Sequence, residues 1–318
     1  MTAAAVAVQL GNLPAPAVVE ALDYESYLAS LRADLIARHP EAAGVLALES
    51  EPLNKLLQVF AYRELLLRAR VNDAARAVML PWAVGTDLDS LAARYDLARL
   101  PGEDDERLRT RVLMGYHALS AAGSASSWRL RALSQSVDIR QVDVWADRPG
   151  RVKVALLARI STTAREITPE QHAQGLAIFG AHPPVPGVAD PAWRIAAVGD
   201  PIIGQVESAL LAEDVRPLTV DIDVTAARVL PLQVQATLVH TPAQDGALLA
   251  AQAAQRVRQL AAGAAFRVDM TRAAITAALM GGGARNALLA QPTADVPAGN
   301  GQIPIITTVT VTTQVRND

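Results

Sequence analysis

Apolar residues recur at helical spacing through the first third of the chain and mostly alternate with polar ones in the strands predicted further on. Tyr24, Tyr27, Leu28, Leu31, Leu35 and Ile36 predict a helix in "DYESYLASLRADLIARHP", with Asp23 as a candidate N-cap and Pro40 as the stop. A second helix begins near Pro52, a residue favoured in a first turn because its missing N–H would be unpaired there anyway. On a helical projection Leu53, Leu56, Leu57, Phe60, Leu67, Val71, Ala74, Ala75 and Val78 fall in one stripe, about 100° wide. Tyr62, Leu65 and Leu66 lie well off that stripe, whereas Glu64 lies inside it with Arg68 one turn later. A helix apolar on several sides is either enclosed in its own chain's core or sandwiched between chains. In the second case the Glu64–Arg68 pair sits in an apolar seam, where a charge costs stability unless paired but can specify register and partner. In the first case the core is an ordinary intrachain one and Glu64 reaches to solvent. The pattern alone leaves both open.

Two more helices are predicted in "TDLDSLAARYDLAR", capped by Thr86 or Asp87, and "EDDERLRTRVLMGYHALSA", whose acids precede its arginines as the helix dipole favours. From about residue 124 the pattern changes. Ser124 or Ser126 can cap a short helix, "SSWRLRALSQS". Strands follow at "VDIRQVDVWAD" and "RVKVALLAR", joined by a turn at "DRPG". Helices at "TPEQHAQGLAIFG" and "PIIGQVESALLAEDV" lead to strands at "LTVDIDV" and "LPLQVQATLVH". A long helix over 244–262, the helix "DMTRAAITAALM", a "GGG" turn, the strand "ARNALLA" and the β-rich tail "IPIITTVTVTT" complete the chain. A faint repeat, strand then Thr-Pro then helix, links "VKVALLARI…TPEQHAQGLA" with "LQVQATLVHTPAQDGALLA". The reading is α+β: an extended arm over 1–20, where "LPAP" favours extended backbone, a helical assembly region over 21–123, and two small mixed α+β units over 124–225 and 226–318 with antiparallel or mixed sheets.

Composition narrows the chemistry. The 318 residues carry a net charge of −3, so no bulk positive field favours nucleic acid or an anionic membrane. There is no cysteine, which excludes disulfides, thiol catalysis and thiolate-bound metal. No basic, apolar leader or membrane-length apolar run stands out, so a soluble protein retained in the cell is expected. His39, His117, His172, His182 and His240 form no metal-ligand spacing, and no phosphate-binding glycine loop or nucleophile elbow occurs. Glu103, Asp104, Asp105 and Glu106 could hold a divalent cation, but at a helix start the dipole accounts for them better. No catalytic, cofactor-binding or metal residue is expected, and the weight shifts to a structural or interaction protein.

The stretch "LALESEPLNKLLQVFAYRELLLRARVNDAARAVMLPWAVGTDLDSLAARYDLARLPGEDDERLRTRV" resembles the J family of P2-like contractile-phage baseplates. The likeness lies in the "LESEP" lead-in, "AYRELLLR.RVN.AARA", "G.DLD.LA..Y" and "RLPGE.D…R.R", and continues in "EDVRPLTVDIDV" and "TRAAITAALMGGGARNALLAQPTADV". It spans roughly residues 14–313. "GGG" departs from the family's proline-containing turn, which touches local geometry only. The resemblance implies a baseplate wedge subunit with no catalytic residues, whose ring surrounds the tail hub and whose expansion launches sheath contraction. Its implied partners are a second copy of the chain, a smaller I-like wedge protein, a sheath-initiator-like protein and, as a further candidate, a tail fibre, with no nucleic acid and no membrane. Its implied place is the tail baseplate of a phage or related contractile particle, after assembly in the bacterial cytoplasm. The expected interchain bundle comprises Leu53, Leu56, Leu57, Phe60, Tyr62, Glu64, Leu65, Leu66, Leu67, Arg68 and Val71. The competing readings are a tail-associated cell-wall hydrolase, which needs a positioned carboxylate or zinc set, and a tail fibre or receptor-binding module, which predicts aromatic-rich sites or β-repeats.

Overall fold

The computed structural model describes residues 16–48, 50–118, 124–212, 215, 219–242 and 244–316. Most of the expected arm, "LPA" of "LPAP", Glu49 of "LESEP" and most of "EDVRPL" therefore lie outside the described residues. The chain divides into two compact units, one of residues 1–99 with 103–112, the other of 100–102 with 113–318.

The first unit is helical. Helix α1 (Tyr24–Arg38) starts where the Asp23 side chain accepts the Glu25 N–H and ends where the His39 N–H returns to Leu35. A short α2 (Ala42–Leu46), too brief to show a period in the sequence, leads to α3 (Pro52–Ala77), with Pro52 in its first turn. Leu28, Ala42, Leu46, Leu57 and Ala61 make the core among these three helices. A second small core, Ala83, Leu88, Leu91, Ala92, Leu108 and Val112, joins α4 (Gly85–Ala93) to α5 (Asp105–Ala118).

Thr86 and Asp87 do not cap α4. The helix begins one residue earlier, its N-cap is the apolar Val84, and the Gly85 N–H donates to Asp105 of the next helix at 3.1 Å. That bond, followed by the Arg99 guanidinium at 2.7 Å, holds the Asp105 carboxyl below its ordinary range. The neighbouring Glu103 carboxylate is buried against Arg111 at 2.6 Å and Arg107 at 3.3 Å. The acids of "GEDDE" thus serve caps and arginines. Arg109 ties α5 to the turn after α3 by donating to the Leu80 and Ala83 carbonyls, each at 2.8 Å.

The second unit is α+β. Ser124 caps α6 (Ala125–Leu133), accepting the Ser127 N–H. Strands β1 (Ile139–Arg148) and β2 (Arg151–Thr163) form a hairpin whose turn includes Gly150 at φ +80°, a conformation costly for other residues. Helix α7 (Pro169–Phe179), β3 (Pro191–Ile195), α8 (Pro201–Leu210) and β4 (Asp221–Ala226) complete the first sheet. β2 is its axis, antiparallel to β1 and β3 and parallel to β4. The sequence pattern does not predict β3, which is five residues long with Pro191 at its start.

The second sheet uses β5 (Arg228–His240), β6 (Asn286–Gln291) and β7 (Gln302–Val315), in the order β6-β5-β7, with α9 (Gly246–Ala262) and α10 (Arg272–Met280) between β5 and β6. β5 is antiparallel to β6 and parallel to β7. Each sheet therefore has a long central strand that leads into helices and returns as a parallel neighbour, matching the faint repeat in the sequence. The repeat differs in its cap. Thr168 forms a full capping box at α7, whereas α9 is capped by Asp245, several residues beyond Thr241-Pro242.

Leu157, Ile303 and Ile305 pack the two sheets of this unit together. Beside them the buried Asp143 carboxylate accepts from Arg267 at 2.6 Å and from the Gly301 N–H at 2.9 Å. Arg140 on β1 donates to the Ile178 carbonyl at the end of α7 and to Ala262 at the end of α9. Burial pushes its guanidinium below the ordinary value, while two helix C-termini favour the cation.

Candidate interchain surface

Helix α3 presents two sides of different chemistry. Toward α1 and α2 it turns Asn54, Leu57, Ala61, Leu65, Arg68 and Asn72, spaced three or four apart. Asn54 donates to the Leu46 and Leu48 carbonyls, each at 2.8 Å, and accepts from Arg32 at 3.1 Å. Asn72 exchanges two hydrogen bonds with the backbone of Glu20, at 3.0 and 2.8 Å. The inward side of this long helix is thus fixed by two buried asparagines and the small Ala61 as much as by large apolar residues.

The other side is apolar and open. Leu56, Val59, Phe60, Tyr62, Leu66, Leu67, Val71 and Val78 are all exposed, Phe60 to 54% and Leu67 to 68%. Lys55, Gln58, Val59, Tyr62 and Arg63 line a shallow depression along it. Exposed Arg63 and Arg70 lie among these apolar side chains.

The residues expected in the interchain bundle therefore straddle both sides. Leu57 belongs to the inner core, Leu53, Glu64, Leu65 and Arg68 are half-buried, and Leu56, Phe60, Tyr62, Leu66, Leu67 and Val71 point outward. Periodicity groups residues by angle but does not say which neighbour covers them. The Glu64–Arg68 pair forms, at 2.9 Å, yet it belongs to an intrachain clamp. Arg68 also bonds Glu20 at 2.6 Å and stacks over the Tyr27 ring at 5.1 Å. The bonds to Glu20, then to Glu64, raise the guanidinium above its ordinary value. Sequence reasoning missed Val59 and the two asparagines. The asparagines carried a signal, because Asn is a poor residue for a helix interior unless its side chain has work to do.

The described residues contain no group of three or more His, Asp or Glu placed to hold a metal ion. His240 is buried with Nδ1 at 2.9 Å from the Thr241 carbonyl, and His182 stacks on Trp193 and meets Ser161 Oγ at 2.8 Å. Among the described residues no helix is long and apolar enough to cross a membrane.

The family described as the baseplate J-like N-terminal domain matches residues 49–102, the stretch that contains α3 and α4. The chain is also 33% identical over 327 aligned positions to baseplate protein J of Escherichia phage P2, an alignment that covers 96% of this chain and 97% of that protein. The chain belongs to the baseplate J family. Membership carries a coarse role, that of a structural protein of the phage tail baseplate. In a baseplate J chain, the open face of α3 falls inside the segment matched by the family's N-terminal domain.

Proposed function

We propose that this chain is a wedge subunit of the baseplate, and that the outward face of α3 packs against helices of other chains in a shared bundle. The open side of α3 carries this reading: a 26-residue helix leaves its largest apolar side chains exposed while its inner side is already occupied. The partners that fit are a second copy of the chain and a smaller wedge protein, each contributing an amphipathic helix. The sheet-bearing unit then holds neighbouring wedges together around the hub, next to the sheath initiator, and ring expansion is passed through it to the sheath. Assembly takes place in the bacterial cytoplasm.

The direct test is co-expression with the smaller wedge protein of the same particle. Leu67→Asp with Phe60→Asp is expected to abolish co-purification while the isolated chain keeps its circular dichroism spectrum. Leu248→Asp, an exposed leucine on α9, serves as the control and is expected to co-purify normally. Co-purification of the double variant at the level of the parent would refute the bundle.

A further inference from the structure

The second sheet ends in a strand with one open edge. Among the described residues β7 pairs with β5 alone, and the order β6-β5-β7 leaves it at the margin. Its first part, Ile303–Ile306, is buried, but from Thr308 onward the outer-face side chains are exposed. Such an edge presents a row of backbone N–H and C=O groups ready to pair with another strand. Natural edges are commonly blunted by lysine, proline, a bulge or a covering element. The stretch "TTVTVTTQV" has no charge, no proline and no glycine and is almost wholly β-branched; the bulge falls at its first residue, Thr307, which the pairing skips between Ile306 and Thr308, and the ladder runs regularly from Thr308 onward.

We infer that this edge pairs with the same edge of a second copy, antiparallel about a two-fold axis normal to the sheet, fusing two three-stranded sheets into one. The strand is self-complementary. Thr308, Thr310 and Thr312 lie on the outer face, while Val309 and Val311 pack inward against the core of the second sheet. Antiparallel pairing about that axis sets Thr opposite Thr and Val opposite Val, and such cross-strand pairs are favourable. A threonine ladder of this kind already exists within the sheet, where Thr237 Oγ1 and Thr312 Oγ1 are 3.0 Å apart. A charged edge would face its own charges across a two-fold axis and be penalised; this one carries none. A two-fold, isologous contact is also the commonest way for a chain to meet its copy.

The inference rests on the reading that the sheet-bearing unit carries contacts between copies, and it does not need α3. It is therefore tested in the full chain carrying Leu67→Asp, which disables the α3 face. The sequence has no cysteine, so single introduced thiols report cleanly. Residues opposite each other in an antiparallel pair lie about 4.5–5.5 Å apart, within disulfide reach. Thr308→Cys, Thr310→Cys, Thr312→Cys and Gln314→Cys are each oxidised mildly, with Leu248→Cys as the collision control. One outer-face position is expected to cross-link strongly and its neighbours progressively less. Sedimentation is expected to show a dimer that Thr310→Lys with Thr312→Lys weakens by about tenfold or more, with the circular dichroism spectrum unchanged. A dimer that forms without β7 cross-links, or with cross-links no stronger than the control, overturns the edge pairing and leaves the broader reading standing. A monomer at the highest soluble concentration overturns both.

Discussion

Helices α3 and α9 are both amphipathic, and they end in opposite situations. α9 buries Leu249, Ala253 and Val257 against the second sheet and leaves only Leu248 among its large apolar residues exposed. α3 buries Asn54, Leu57, Ala61 and Asn72 and leaves seven large apolar residues between Leu56 and Val71 in the open. The inner contacts of α3 combine two asparagines and Ala61 with Leu57, while most of its large apolar residues face away. A helix stripe therefore identifies a surface that wants covering, without saying whether the same chain covers it. In α9 the chain does so itself. In α3 the described residues leave that surface uncovered.

The largest expected effect tests the inner sides, where the two helices should behave alike. Leu57→Ala and Leu249→Ala each delete a buried leucine, and each is expected to destabilise its unit by about 2–5 kcal/mol, read from denaturant melts monitored separately for the helical and sheet-bearing units. A loss at Leu57 below that of an exposed control would mean that the α1–α3 core is not formed in the isolated chain.

The charged contacts sharpen the contrast. Asp143 sits buried at the junction of the two sheets, whereas the Glu20–Arg68–Glu64 clamp of the helical unit is largely open to water. Asp143→Asn is expected to destabilise the sheet-bearing unit by roughly 1–3 kcal/mol, since it removes a charged acceptor from Arg267. Arg68→Ala is expected to leave the thermal midpoint nearly unchanged. Equal effects in the two variants would break the distinction.

An acid titration gives a smaller signal. Arg194 grips Asp200 at 2.6 and 2.7 Å, and together with the Ala197 N–H it holds that carboxyl below its ordinary value. A depressed carboxyl stabilises the fold fully above the ordinary carboxylate value of about 3.9, and that contribution is lost as pH falls through the lower folded value. Asp200→Asn is expected to flatten the fall in stability below that point. An unchanged acid profile would show that the pair contributes nothing.

Much of this architecture was legible in the sequence. Asp23, Pro52 and Ser124 marked helix starts because caps and first-turn prolines act locally. The β1–β2 hairpin was legible for the same reason, through Gly150 and the alternation on either side. What escaped depends on distant residues. Asp105 caps α4 from the next helix, β3 exists because β2 offers it a ladder, and the inner side of α3 is set by Glu20, Leu46 and Leu48. The candidate surface was half legible: Leu56, Phe60 and Leu67 were singled out, but nothing local separates them from Leu57, which is buried within its own chain.

The smallest expected stability effect is at the outer face. Phe60→Ala and Leu248→Ala are each expected to change the stability of the isolated chain by no more than about 0.5 kcal/mol, checked by the same melts. A loss at Phe60 comparable to that at Leu57 would place it in an intrachain core.

The central claim, that the open face of α3 is covered by other chains in the assembled baseplate, is tested most directly by labelling a thiol there. Leu67→Cys introduces the sole cysteine of the chain. The account predicts rapid alkylation in the isolated protein and strong protection in the assembled particle, with Leu248→Cys serving as a reference exposed on the isolated chain. Alkylation of Leu67→Cys at the same rate in the particle as in the isolated chain would contradict it.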